Sequence, residues 1–186
     1  MSTPQFWMAM FVGFGAGICM MTINIHIVPY ATDLGFSAVS AAAILSAMGV
    51  ASILGGIMLG GFADRIGNRQ TLIFCFILTA ITLFLLVPAR ELWMLYVLAF
   101  LLRFSVTGGA TLQSPIVAEL FGMRSHGLIF GVMSLGYIIG SSVGPFMGGY
   151  IFDTTGSYYI AFLICGTVGV FSFISASMLR PIRTRN

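Results

Sequence analysis

Charge is what this sequence has least of. Asp, Glu, Lys and Arg make up 7% of its 186 residues, against roughly 25% in an ordinary soluble domain, which excludes a water-soluble globule. Lysine is absent: the eight basic residues are all arginine, and with five acids they leave a net charge of +3. Charge this sparse is no footprint for nucleic acid. Cysteine is scarce too, and Cys19, Cys75 and Cys165 lie in separate apolar runs without CxxC spacing. Neither a disulfide framework nor a metal site is expected, and nothing in the sequence implies a cofactor. The cysteines read as small core residues. The opening residues Met1-Ser2-Thr3-Pro4-Gln5 carry no base, and no small-residue cleavage site follows. The first apolar run is therefore expected to be retained rather than removed as a signal peptide.

Apolar length is what the sequence has in plenty. Hydrophobic residues reach 59%, and charged and turn residues cut them into runs at 6–30, 39–63, 70–88, 92–114, 128–152 and 158–179. Each run is close to the ~20 residues that a membrane-crossing helix requires. The runs are continuous and lack the two-residue alternation of a membrane barrel, and a backbone in lipid must satisfy its own hydrogen bonds, so helices are predicted. The expectation is an all-α integral protein of the plasma (inner) membrane. It is a single six-helix domain over 1–186 whose last residues, 180–186, form a basic tail. Arg65, Arg69, Arg124, Arg180, Arg183 and Arg185 fall on one side of that arrangement, while Arg90, beside Glu91, shares the other with Asp33 and Asp153. Positive charge marks the cytoplasmic face, so both termini and the tail are expected there.

The chain also repeats itself. Pro29, Asp33, Leu34 and Gly35 at the end of span 1 match Pro115, Glu119, Leu120 and Gly122 at the end of span 4. Gly56, Gly60, Gly61, Asp64 and Gly67 on span 2 match Gly144, Gly148, Gly149, Asp153 and Gly156 on span 5, so both motifs recur at offsets of 86 to 89 residues. Three spans per copy, 6–88 and 92–179, force the second copy upside down. Inverted triplets of this kind mark secondary transporters, whose substrate site lies near the bilayer midplane. Gly136, Gly140, Gly144 and Gly148 form consecutive GxxxG steps on span 5, and Ser52, Gly56 and Gly60 form a smaller ridge on span 2. Lipid gives helices no hydrophobic reason to associate, so close backbone contact at such ridges has to hold the bundle together. Static packing and a smooth face for sliding are both open to them.

Between spans 2 and 3 stands Gly60-Gly61-Phe62-Ala63-Asp64-Arg65-Ile66-Gly67-Asn68-Arg69-Gln70. It resembles the short cytoplasmic loop of the major facilitator superfamily, G-x-x-x-D-R-x-G-x-R/K-R/K, matching at Gly60, Asp64, Arg65, Gly67 and Arg69 and departing at Gln70. Gly67 suits a tight turn, the arginines hold the loop in the aqueous, anionic-lipid zone, and Asp64 can accept from the N-terminus of a neighbouring helix. Breaking such a contact could gate the inner face. Further strings extend the resemblance over nearly the whole chain: Ile25-His26-Ile27-Val28-Pro29-Tyr30, Gln113-Ser114-Pro115 with Ala118-Glu119-Leu120-Phe121-Gly122, and Gly144-Pro145 leading to Tyr158. They are similar to the C-terminal six-helix half of a transporter of the monocarboxylate or oxalate/formate branch. The resemblance implies a carrier of a small organic anion working by alternating access. It also implies a second six-helix half, or a second copy, because members of the family have about twelve spans.

Polar groups inside the runs are the candidate substrate contacts. Arg103 lies at the centre of span 4, where a charge costs about 2.5–3.5 kcal/mol, so it should face a cavity or a partner. Thr107, Thr111 and Ser114 follow it along nearly the same face. No acid lies deep in any run, which leaves Arg103 open to a substrate anion, a structural partner or a snorkelling role. On span 1, Thr22 and His26 share a face. His26 can relay protons or act as a hydrogen-bonded structural histidine. His126, in the loop after span 4, is expected to be solvated. The branch resembled also implies a substrate-pairing Arg on the span before the loop, four residues ahead of its first Gly, and that position is Gly56 here. Either Arg103 supplies the charge from another helix or the substrate is not a small carboxylate. Gly140-Ser141-Ser142-Val143-Gly144 formally matches G-x-S-x-G, but a nucleophile elbow needs a strand-to-helix turn, so no enzyme is expected. The rival is a truncated or non-transporting membrane interaction subunit.

Overall fold

The computed structural model describes residues 4–123 and 126–179, all helix and short turn among those residues. Arg124 and the basic tail lie outside them. Among the described residues seven helices run in order: α1 (Pro4–Asp33), α2 (Ala38–Ile66), α3 (Asn68–Leu86), α4 (Leu92–Thr111), α5 (Gln113–Phe121), α6 (His126–Thr155) and α7 (Tyr159–Met178). They make six membrane-length units, because α4 and α5 together form one span over Leu92–Phe121. The expected count holds. The bounds differ: span 4 is longer than 92–114 and broken, and α2 and α6 overrun the apolar runs at both ends.

The break follows from Pro115. Its ring has no N–H and would clash with the carbonyl of Thr111, so the ladder cannot continue through Leu112. The Leu112 N–H turns back to Gly109 O at 3.3 Å, and Thr111 Oγ1 donates to Gly108 O at 2.7 Å. Pro29 and Pro145 sit inside α1 and α6 without ending them.

The duplication read from the sequence is visible in the backbone. Among the described residues four take positive φ, and they are Gly35 (90°), Gly67 (97°), Gly122 (78°) and Gly156 (66°). Gly35 and Gly122 are repeat partners, as are Gly67 and Gly156. Only glycine adopts this conformation without strain, and the N–H groups of Gly67, Gly122 and Gly156 each close the preceding helix on the carbonyl four residues back.

Helix contacts obey the same symmetry. The closest pairing is α1 with α6, and its repeat counterpart, α4 with α2, comes next. The pairing of α3 with α4 is mirrored by α7 with α1, and α3 packs on α7, its own counterpart. Each intimate pair therefore joins one repeat to the other. Backbone proximity is the means. An added Cβ on Gly136, Gly140 or Gly144 would lie 2.5, 2.1 or 2.8 Å from the carbonyl oxygens of Met10, Phe14 and Ile18. Gly148 faces His26 and Thr22 instead. On α2 the expected ridge is displaced by one residue. Gly55, not Gly56 or Gly60, makes the close approach: a Cβ added there would lie 2.3 Å from Phe104 O, whereas one at Gly60 would have nothing within 4 Å and one at Gly56 would meet only Thr111 Cγ2 at 3.8 Å.

Two apolar cores flank the middle of the bundle. One gathers Ile23, Ile27, Tyr30, Leu83, Leu95 and Phe162 at the Arg90 end, and the other gathers Phe6, Leu72, Ile116, Val117 and Leu179 at the Asp64 end. The helices α2 and α6 are the least buried and leave Ile53, Ile57, Ile138 and Phe146 exposed. Apolar surface of that extent belongs against lipid or another helical body.

Candidate functional site

The tight crossing of Gly55 over Phe104 sets the register of α2 against α4, and the residues beside it meet as a polar group. Arg103 Nε donates to Ser52 Oγ at 2.6 Å, and Thr107 Oγ1 makes a longer contact to the same oxygen at 3.4 Å. Ser52 in turn donates to Met48 O at 3.1 Å. The Arg103 side chain is half-buried, yet its Nη1 is enclosed without an acceptor. Tyr137, on α6, donates its hydroxyl to Met20 Sδ on α1 at 3.2 Å. The group is thus built by α2 and α4.

The polar stripe expected below Arg103 is interrupted. Thr107 belongs to the group, whereas Thr111 bonds back to its own helix and Ser114 lies beyond the break. Ser114 Oγ meets His126 Nε2 at 3.1 Å, and the His126 ring stacks on Phe130 with centroids 5.9 Å apart. His126 is therefore packed and half-buried, contrary to the expectation of a solvated side chain. The cause is the bend at Leu112, which carries α5 back over the start of α6.

Thr22 and His26 form a separate group between α1, α6 and α7. His26 Nε2 donates to Pro145 O at 3.0 Å, and its ring lies 5.1 Å from that of Tyr158. Thr22 Oγ1 is buried beside the Cys165 thiol. Burial pushes the Tyr158 phenol above its ordinary value, and the Asp33 and Asp153 carboxylates push the same way. Tyr30 completes this end of the bundle, donating to Ala89 O and accepting from Arg90 Nη1, both at 2.9 Å.

At the opposite end the α2–α3 turn clasps the second repeat. Arg69 Nη2 donates to Ser177 O on α7, and Asn68 Nδ2 donates to Glu119 Oε1 on α5 at 2.7 Å. Asp64 and Arg65 are exposed, and Asp64 caps no neighbouring helix among the described residues. Asn68 and Ser52 are the contributors that sequence reasoning missed. Asn68 carried a signal in its place directly after the turn glycine, but nothing in the sequence set Ser52 apart from other small residues.

Six inverted-repeat spans, a polar group at mid-depth and a clasped α2–α3 turn agree with the comparison to known families. The model of the Major Facilitator Superfamily matches residues 5–186. The chain belongs to the major facilitator superfamily. Among superfamily relatives, mouse (Mus musculus) monocarboxylate transporter 12 is 33% identical over 165 residues, covering 86% of this chain and 34% of the relative. The uncharacterized MFS-type transporter YcxA of Bacillus subtilis (strain 168) is 28% identical over 161 residues, covering 82% of this chain and 38% of the relative. The chain spans about a third of the length of the curated relatives it matches. The superfamily transporter FucP, in its outward-conformation crystal structure, superposes with a TM-score of 0.82 at 16% identity, over 96% of this chain and 43% of that one. That likeness shows the fold: the six helices take the arrangement of 43% of that carrier's chain. Superfamily members are transporters, not enzymes, which removes the G-x-S-x-G reading of Gly140–Gly144.

Proposed function

We propose that this chain is one six-helix half of a secondary transporter that moves a small organic anion, such as a monocarboxylate, by alternating access. Arg103 carries the reading. It is a guanidinium at mid-span with one enclosed nitrogen lacking an acceptor and no carboxylate beside it. A charge held that way in low dielectric is stabilised by an arriving anion more than by water. Thr107 lies within the same group, and Thr22 and His26 line a neighbouring wall as secondary candidates. The exposed apolar faces of α2 and α6 fit a second half or a second copy, which would close the other side of the substrate path. The arginines of the α2–α3 turn set the orientation, with both termini cytoplasmic in the plasma (inner) membrane. Gly60, Asp64, Arg65, Gly67 and Arg69 serve as the gating turn.

Uptake of labelled lactate, formate and oxalate into proteoliposomes tests this. Saturable, gradient-driven uptake of at least one anion is expected where the chain is paired with a second half or copy. The absence of saturable flux in every pairing and gradient, with a monomer by mass, identifies a non-transporting subunit instead.

A further inference from the structure

We propose that Ser52 is a positioning residue that aims the Arg103 guanidinium, an inference that rests on Arg103 being the anion contact. The argument is one of donors and acceptors. A serine hydroxyl has one proton and two lone pairs. In Ser52 the proton goes to Met48 O at 3.1 Å, the back-bond a helical serine makes to the carbonyl one turn earlier. Both lone pairs are then free for α4, and they receive Arg103 Nε–H at 2.6 Å and, more weakly, Thr107 Oγ1 at 3.4 Å. Holding the guanidinium by Nε fixes its plane and leaves its Nη groups for a ligand. Arginine contacts a carboxylate best through two parallel N–H groups, so the direction of that edge decides the affinity.

The sequence supports the arrangement at one more point. Gly55, one turn from Ser52, lets α2 approach the Phe104 backbone closely, where an added Cβ would lie 2.3 Å from the carbonyl oxygen. A larger residue there would carry Ser52 away from Arg103. Ser52 therefore acts through Arg103 and need not touch the substrate.

The test uses the full chain in lipid nanodiscs with Ser52→Ala, Ser52→Thr and Ser52→Cys. The first readout is hydrogen exchange at the arginine Nε–H signals in nitrogen-15 spectra. Only eight arginines contribute and no lysine is present, and Arg103→Gln identifies the relevant signal. The second is equilibrium binding of labelled lactate. Ser52→Ala and Ser52→Cys are expected to remove the protection of Arg103 Nε–H and to weaken lactate binding about tenfold, the effect of one charge-assisted hydrogen bond. Ser52→Thr keeps the acceptor and should restore both. Protection that persists in Ser52→Ala, or lactate affinity unchanged in Ser52→Ala and Ser52→Cys, overturns the positioning role. If Arg103→Gln binds lactate as tightly as wild type, the anion reading itself falls, whatever Ser52 does. If Arg103→Gln loses lactate while the Ser52 variants keep it, that reading survives and only the positioning role is lost.

Discussion

Arg103→Gln is expected to weaken anion binding about thirtyfold or more while making the folded chain more stable. The two effects have opposite signs because they arise in different states. In the empty protein, a guanidinium half-buried at mid-span, with Nη1 enclosed and unpaired, is a cost. Insertion scales put that cost at about 2.5–3.5 kcal/mol, and glutamine avoids most of it. Gln can still reach Ser52, so the α2–α4 contact is preserved. In the liganded protein the charge is the attraction, and removing one partner of a buried, hydrogen-bonded charge pair costs roughly 2–5 kcal/mol. Equilibrium binding of labelled lactate and a thermal melt on the same sample report the two effects separately. Arg103→Lys should fall between them, because an ammonium keeps the charge but loses the planar two-point contact. A destabilised Arg103→Gln would instead mark Arg103 as a structural pairing residue.

Gly140→Ala is expected to lower the melting temperature by roughly 5–10 °C, from overpacking worth about 1–3 kcal/mol. The added methyl would lie 2.1 Å from Phe14 O and 2.9 Å from Phe14 C. These are backbone atoms, so no side chain can swing aside. Relief requires α1 and α6 to separate, and theirs is the most extensive contact in the bundle. The control lies one face away: a Cβ added at Gly131, on the same helix, would have nothing of the rest of the bundle within 4 Å. Gly131→Ala should therefore be neutral or mildly stabilising, since alanine is the better helix former by about 0.5–1 kcal/mol. Equal behaviour of the two variants would mean that α1 and α6 do not meet along this ridge.

These two residues also show how far the sequence could be read. The number of spans and their inverted pairing were legible, because charges and turn glycines interrupt apolar runs at nearly fixed offsets. Gly35, Gly67, Gly122 and Gly156 carry the repeat in both sequence and backbone. Gly140 and its GxxxG neighbours could be found because four equally spaced glycines define one face. Arg103 stood out as a charge in an apolar run. What could not be read was the rotation of helices that are apolar all round. On α2 the pattern favoured Gly56 and Gly60, whereas the contact falls on Gly55, about 100° around the helix. Pro115 was visible, but its effect was not: the bend at Leu112 moves Ser114 out of the Arg103 stripe and onto His126. Ser52 acquires its role only through a partner 51 residues away, and no local pattern encodes such a pairing.

The claim at the centre of this account is that the polar group on α2 and α4 faces a water-filled path that attracts anions. Thr107→Cys tests it most directly, since the native Cys19, Cys75 and Cys165 are buried and contribute little background. The account predicts that an anionic methanethiosulfonate modifies Cys at 107 faster than a cationic one, that lactate slows the reaction, and that adding Arg103→Gln removes the preference. A position that neither reagent reaches, or that both modify at the same rate with Arg103 in place, would contradict it.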